Sequence, residues 1–238
     1  MHKSKSDLKN RYLINSISLL ECPPIGDVKL HFGPNLTIIS GENGSGKSSM
    51  VSTLFLKKWP FGGNVTVNDQ GDRTNFEKLP SICILDESSF FEKNNTLKSH
   101  DNWINLAKDN PKILEITTHT YNQLVASKFS NREFKINVNN NNQPVVITKQ
   151  LTYIELAAGE QLILNLAGVL AAREFLNVNC PLIIDSITSI LDTNLLLSVI
   201  TILQLSEDQI LYFCNPYQLQ SIMELLPKRN KNFDLISL

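Results

Sequence analysis

The chain has 238 residues, 42% of them hydrophobic and 19% charged, which suits one large domain or two intimately packed lobes around a continuous apolar core. A formal net charge of −1 removes any global basic field, so nonspecific binding to a polyanion is not expected, and only a local basic patch stays open. The cysteines, Cys22, Cys83, Cys180 and Cys214, lie far apart without C-x-x-C spacing, and His2, His31, His100 and His119 form no ligand pattern with them, so structural thiols in a reducing cytosol are expected and a metal centre of these residues is not.

The first residues, Met1 to Asp7, lead into a mixed stretch without the apolar run of a secretory signal, so a cytoplasmic protein is expected. The longest strongly apolar stretch, Leu162 to Ala172, is interrupted by Asn165 and is too short to cross a bilayer. Direct membrane insertion is therefore not expected.

Residues 12–20, 28–32 and 36–40 read as strands separated by the turns Pro23-Pro24 and Gly33-Pro34-Asn35, an antiparallel lead-in. It ends in Gly41-Glu42-Asn43-Gly44-Ser45-Gly46-Lys47-Ser48, the phosphate-binding loop G-x-x-x-x-G-K-[ST], placed after the buried strand Leu36 to Ser40 and before the helix-compatible stretch Ser49 to Lys57. Such a loop needs glycines because its backbone must curl until several N–H groups point inward, holding a β-phosphate at the start of the next helix. Lys47 then reaches the β- and γ-phosphates, and Ser48 places a hydroxyl on Mg²⁺. The candidate nucleotide contacts are Asn43, Gly44, Ser45, Gly46, Lys47, Ser48 and Ser49.

Residues 60–80, punctuated by Gly62-Gly63 and Gly71, read as exposed loop with short strands. Ser81 to Leu85 is a buried-strand candidate, and Asp86-Glu87 at its end is open to two readings, a metal-side carboxylate or a solvated strand end. Residues 97–129 carry Trp103, Ile104, Leu106, Ile113, Leu114, Ile116, Tyr121, Leu124 and Val125 at roughly helical spacing, a small helical lobe. Residues 134–138 and 144–148 alternate as a hairpin around the Asn139 to Asn142 turn. From residue 159 the pattern becomes helix 160–176, strand 181–184, helix 194–205, strand 209–214, helix 216–225 and strand 234–238, an alternation that predicts a parallel sheet covered by helices.

Leu182-Ile183-Ile184-Asp185 is a short apolar strand ending in a carboxylate, the arrangement that sets an acid at the sheet's carboxyl edge beside a phosphate loop, where it holds Mg²⁺ through water. Many buried strands end in Asp, and the weight of this one comes from its surroundings. Asp185-Ser186-Ile187-Thr188-Ser189-Ile190-Leu191-Asp192 overlays the string D-E-P-T-S-x-L-D of ABC-type ATPases, and upstream Leu156-Ala157-Ala158-Gly159-Glu160-Gln161 resembles their signature in its L-S-x-G-E-Q form, opening a long helix. In this order the three motifs resemble the ABC ATPase superfamily. The phrase Gly-Glu-Asn-Gly-Ser-Gly-Lys-Ser-Ser is closer to its chromosome-maintenance, double-strand-break-repair and bacterial anti-phage branch than to transporter subunits. Lys47 and Gly159 stand only about 110 residues apart, so no long coiled-coil arm fits between them and the chain reads as an armless head.

The resemblance implies an α/β fold, a P-loop NTPase of ABC type with a parallel core sheet, an antiparallel β lead-in and a small helical lobe. It implies a single domain over 1–238, with a nucleotide-binding lobe from 1–96 and 177–238 and a helical, signature-bearing lobe over about 97–176. ATP and Mg²⁺ are the implied ligands, with Ser48 and Asp185 at the metal and Lys47, Asp185, Ser186 and Asn215 as the catalytic set. Ala157, Ala158, Gly159, Glu160 and Asp192 would meet the nucleotide held by a second copy, in a head-to-tail homodimer that signals to an effector protein. Antiviral defence belongs to the same branch, and nucleic acid enters only through the resemblance, because Lys57-Lys58, Lys228-Arg229 and Lys231 also read as ordinary solvated charges.

Two positions depart from the family pattern. The residue after the Mg²⁺ aspartate is usually Glu, which polarises the attacking water, and here it is Ser186. The switch histidine after the next strand is replaced by Asn215, whose amide hydrogen-bonds a phosphate oxygen but carries neither positive charge nor a shuttled proton. Both favour stable ATP binding with slow turnover. A transporter motor subunit and a non-hydrolysing ATP-binding module remain the alternatives, while a small GTPase is disfavoured by the lack of N-K-x-D and D-x-x-G strings.

Overall fold

The structure, a computed structural model, describes residues 12–56, 58–71, 84–86, 99–126, 128–129, 133–141, 143–148, 150, 152–178, 180–185, 191–206, 208–225 and 233–238. Ser186, Glu87, Lys57, Lys228, Arg229 and Lys231 lie outside them, as does the whole 72–83 stretch with Cys83. The chain divides into two compact units, the first containing Met1–Ile84, Asn179–Ser186 and Leu203–Leu238, the second Leu85–Val178 and Ile187–Ile202.

In the first unit, β1 (Leu13–Cys22) pairs antiparallel with β2 (Gly26–His31) on one side and with a strand at Asn64–Gln70, β4, on the other. β4 is a short strand of the kind expected in this exposed, glycine-punctuated segment: Val65 and Val67 alternate with exposed polar residues, and the strand pairs along β1 from Leu13 to Leu20. β3 (Leu36–Ser40) does not continue this antiparallel lead-in. It lies in a five-stranded sheet with β5 (Ile84–Asp86), β9 (Leu182–Asp185), β10 (Ile210–Cys214) and β11 (Asp234–Ser237), in the order β11-β3-β10-β9-β5. β3 runs parallel to both β10 and β11, and β10 runs parallel to β9. The reason is legible in burial: β3, β9 and β10 are buried at every residue, the condition of a parallel strand covered on both faces.

In chain order the helices are α1 (Lys47–Leu56), α2 (Ser99–Asp109), α3 (Pro111–Val125), α4 (Ala158–Phe175), α5 (Thr193–Leu205) and α6 (Pro216–Leu225). Of these, α1 follows β3 and α6 joins β10 to β11. The two sheets of the first unit are joined by a buried amide. The Gln209 side chain donates to the carbonyls of Ile14 (2.9 Å) and Gly33 (2.7 Å) and accepts from the Ile14 N–H (2.9 Å), so one residue satisfies three backbone groups that sheet pairing leaves over.

The second unit contains the expected helices, but as two elements. Asn110-Pro111 ends α2 and opens α3, with the proline in the first helical turn where its missing N–H costs nothing. α4 packs against both, and the asparagine that interrupts its apolar run has a partner: Asn165 accepts from the Trp103 indole N–H at 3.3 Å. Gly168, one turn along, is small because a Cβ there would overlap the same indole. The hairpin of β6 (Phe134–Val138) and β7 (Pro144–Thr148) forms as predicted, extended by the short β8 (Tyr153–Ile154) into a three-stranded sheet. Its asparagine turn is organised by Asn139, whose side-chain oxygen accepts from the N–H groups of Asn141 and Gln143, each at 2.9 Å. Among the described residues no helix is long and apolar enough to cross a membrane. Cys22, Cys180 and Cys214 are buried.

Candidate nucleotide site and signature helix

The glycine-rich loop leaves β3 and enters α1 in the first unit. Its first residue is tied to the neighbouring strand, Gly41 N–H donating to the Cys214 carbonyl at 3.3 Å, and the turn closes with Ser45 N–H on the Glu42 carbonyl at 3.1 Å. Gly44 and Gly46 have φ of +82° and +88°, which L side chains rarely adopt, and this curl turns the backbone inward as the sequence requires. At Gly46 the space is restricted as well: a Cβ would stand 2.9 Å from Ile25 Cδ1 and 3.3 Å from Trp59 Cη2. Trp59 is held by its own indole N–H on the Pro23 carbonyl at 2.6 Å.

Lys47 is buried, its ammonium donating to the carbonyls of Gly41 (2.7 Å) and Glu42 (2.9 Å). The cation is thus held across the curl of the loop by dipoles, where an anion bound to the loop N–H groups would meet it. Asn43, Gly44 and Ser48 are exposed, while Ser45, Gly46 and Ser49 are half-buried. The Ser45 hydroxyl is buried without a partner, the one unsatisfied side-chain atom of the described loop. At the loop's end the Ser48 hydroxyl donates to Asp185 Oδ2 at 2.9 Å, bringing the start of α1 to the carboxyl end of β9 as the motif order predicts.

The donor set decides whether these residues suit a divalent cation. A hydroxyl and a buried carboxylate, hard oxygens within hydrogen-bond reach, are what Mg²⁺ takes when substrate phosphates and water complete its shell, so Ser48 and Asp185 fit. Among the described residues no group of three or more His, Cys, Asp or Glu side chains could hold a metal alone. Beneath the loop, burial pushes the Cys214 thiol up to about 11, against the smaller opposing effects of the Ser40 hydrogen bond and the Lys47 charge. That thiol stays protonated and inert at neutral pH.

Asn215 follows β10 beside the loop, and its geometry adds a role not expected from the sequence. Its side-chain oxygen accepts from the Gln218 N–H while the Gln218 side-chain oxygen accepts from the Asn215 N–H, both at 2.9 Å, a reciprocal cap on α6. The carbonyl half of the amide is committed to the helix, leaving only its NH₂ to donate elsewhere. The signal was available: Asn and Gln three residues apart before an apolar run is a capping pattern.

The signature residues lie in the second unit. Ala157 is the N-cap of α4 at φ −64° and ψ 160°, and, having no side-chain acceptor, it supplies only half of a capping box: Glu160 Oε2 accepts its N–H at 3.1 Å. Ala157, Ala158 and Gln161 are exposed, Gly159 is half-buried and Glu160 is buried. Asp192 caps α5, its Oδ1 accepting from Leu195 N–H at 3.0 Å. Lys128, which no sequence pattern singled out, stands between the two motifs, with its ammonium 3.0 Å from Glu160 Oε1 and 3.8 Å from Asp192 Oδ2. Burial, and secondly the Glu160 carboxylate, hold the Tyr121 phenol protonated well above its usual range. The structure therefore brings the phosphate loop, Asp185 and Asn215 together in one unit, and the α4 start and Asp192 together in the other.

The AAA domain family matches residues 16–231. Among solved structures, the chain is similar to the SMC head domain from Thermotoga maritima, at 13% identity and a TM-score of 0.55 over 89% of this chain and 91% of that one. It is similar to an SmcHead bound to the C-winged helix domain of ScpA, at 15% identity and a TM-score of 0.60 over 89% and 91%. It is also similar to the Smc head domain with an extended coiled coil bound to the C-terminal domain of ScpA derived from Pyrococcus furiosus, at 11% identity and a TM-score of 0.58 over 90% and 91%. No curated protein matches the chain. At these identities the likeness is one of fold, that of the SMC head domains. With a family match over most of its length and that P-loop architecture, the chain belongs to the AAA domain family and has the fold of an ATP-binding ATPase.

Proposed function

We propose that the protein binds Mg-ATP in the Gly41–Ser48 loop and pairs head to tail with a second copy, whose α4 start completes the site, and that closure is read by a partner protein. In this reading Lys47 and the loop N–H groups hold the β- and γ-phosphates, and Ser48 and Asp185 hold Mg²⁺, which neutralises charge developing on the phosphate oxygens. Ala157, Ala158 and Gly159 are small, so a helix tip with unpaired N–H groups approaches a γ-phosphate without steric obstruction. The observation that carries the reading is the exposure of Ala157 and Ala158 at the start of an 18-residue helix: small apolar residues left in solvent at a helix tip leave its N–H groups open to a ligand.

Turnover is slow in this reading. Ser186 offers no carboxylate to polarise water, and the carbonyl half of Asn215 is engaged in the α6 cap. The same cap favours, as a second reading, an ATP-binding module that does not hydrolyse. A partner protein is supported by analogy with the ScpA-bound heads, and nucleic acid by the branch alone.

Light scattering with and without ATP and Mg²⁺ tests the pairing. The expected result is a nucleotide-dependent dimer lost in Lys47→Ala; a wild-type monomer under every condition overturns it. Phosphate release that disappears in Asp185→Asn separates the enzyme from the pure binder, and repeating it with DNA shows whether nucleic acid enters the cycle.

A further inference from the structure

The start of α4 carries an electrostatic conflict. Glu160, at the third helical position, accepts the Ala157 N–H and stabilises the helix end, yet its carboxylate stands where the proposed function brings a polyphosphate. A lone carboxylate there would repel the ligand the helix tip is meant to attract. Lys128 resolves the conflict from a separate turn of chain: its ammonium is 3.0 Å from Glu160 Oε1, and it reaches 3.8 Å to Asp192 Oδ2 while Asp192 Oδ1 caps α5. The ammonium also stands 5.6 Å from the Phe129 ring centroid, and Phe129 is packed edge-on against Phe134 at 5.5 Å, so the turn bearing the lysine is anchored to β6.

We infer that Lys128 is a positioning residue that neutralises Glu160 and fixes the start of the signature helix to the Asp192 segment, so that both present together to the nucleotide on a second copy. The inference rests on the proposed head-to-tail reading for its functional half. Its structural half concerns one unit of a single chain and is measurable without any partner.

The test uses the full chain as wild type, Lys128→Ala and Lys128→Arg. Amide hydrogen exchange is read on the nucleotide-free protein, and Mg-ATP-dependent association by light scattering. In Lys128→Ala the Ala157 and Leu195 amides are expected to exchange about three- to tenfold faster, and the protein concentration for half-association to rise by a similar factor, with nucleotide affinity at the Lys47 loop unchanged. Lys128→Arg restores both, because it keeps the charge. Unchanged exchange at those two amides in Lys128→Ala overturns the clamp whatever the association does. Faster exchange with wild-type association overturns its role in pairing. A wild type that never associates overturns the head-to-tail reading and with it the functional half, while the exchange measurement still decides the clamp.

Discussion

Gly44 and Gly46 offer a controlled experiment on the phosphate loop, because they share a backbone conformation and differ in surroundings. At φ of +82° and +88° each would strain an alanine by about 1–2 kcal/mol. A Cβ on Gly44 meets nothing within 4 Å, so that strain is the whole cost. A Cβ on Gly46 meets Ile25 Cδ1 at 2.9 Å, Ile25 Cγ1 at 3.0 Å and Trp59 Cη2 at 3.3 Å. The indole is pinned by its hydrogen bond to Pro23, so Ile25 must yield, which adds about 1–3 kcal/mol of overpacking. When the loop relaxes out of its curl to relieve this, the cost appears in nucleotide affinity at about tenfold per 1.4 kcal/mol. Gly44→Ala is therefore expected to weaken ATP binding roughly 5- to 30-fold and Gly46→Ala about 30-fold or more, read by calorimetric titration with thermal melts alongside to catch cost that falls on folding instead. Ile25→Ala combined with Gly46→Ala should recover part of the difference, since it removes the two shortest contacts and leaves Trp59. Equal losses in the two single variants, or wild-type affinity in Gly46→Ala, would refute the packing argument.

Two further predictions concern the frame around the site. Gln209→Leu removes three hydrogen bonds and strands the Ile14 N–H and the Ile14 and Gly33 carbonyls in a buried position, so a loss of about 3–5 kcal/mol is expected, seen as a fall of roughly 6–20 °C in the melting midpoint; a shift under about two degrees would show that water satisfies those groups. The Cys214 thiol, raised from 9.0 to about 11 by burial, keeps its proton in the folded chain where the unfolded chain has lost it. Its contribution is therefore fully present below pH 9 and is lost as pH rises toward 11, so the stability difference between wild type and Cys214→Ala, measured by urea unfolding, should narrow across that window, and a difference independent of pH would contradict the burial argument.

What the sequence made legible was local. The loop, the strand ending in Asp185, the hairpin around Asn139 and the alternation from residue 182 onward all depend on neighbours within a few residues, and each stands where the pattern put it. What stayed hidden depends on contacts across the chain. Nothing in Leu36 to Ser40 states that its partners are β10 and β11, more than 170 residues later, so the antiparallel turns before it drew it into the wrong sheet. A short strand was legible between Gly62-Gly63 and Gly71, but not its pairing with β1 across about fifty residues. Lys128 sits in a non-periodic turn, and its importance comes from two carboxylates 32 and 64 positions away. Asn215 hides for another reason: its capping pattern with Gln218 is local, but it coincides with the position at which the resemblance implies a phosphate contact.

The Asn215 cap also bears on how the proposed cycle is timed. A positioned general base contributes about 10²–10⁴ in rate, and neither an alcohol at position 186 nor an asparagine at 215 accepts a proton from water near neutral pH. In the proposed cycle what remains is electrostatic: the Lys47 ammonium, the loop N–H groups and the Ser48–Asp185 pair would stabilise charge on the transferring phosphoryl group without activating its nucleophile. Binding and closure draw on the same groups and do not need the base. In that cycle such a composition would separate capture from turnover, keeping nucleotide binding while lengthening the interval before release. On the proposed reading, the lifetime of the closed pair is what a partner would sense, and it would depend both on the α4 tip that Lys128 is inferred to position and on the residues at 186 and 215.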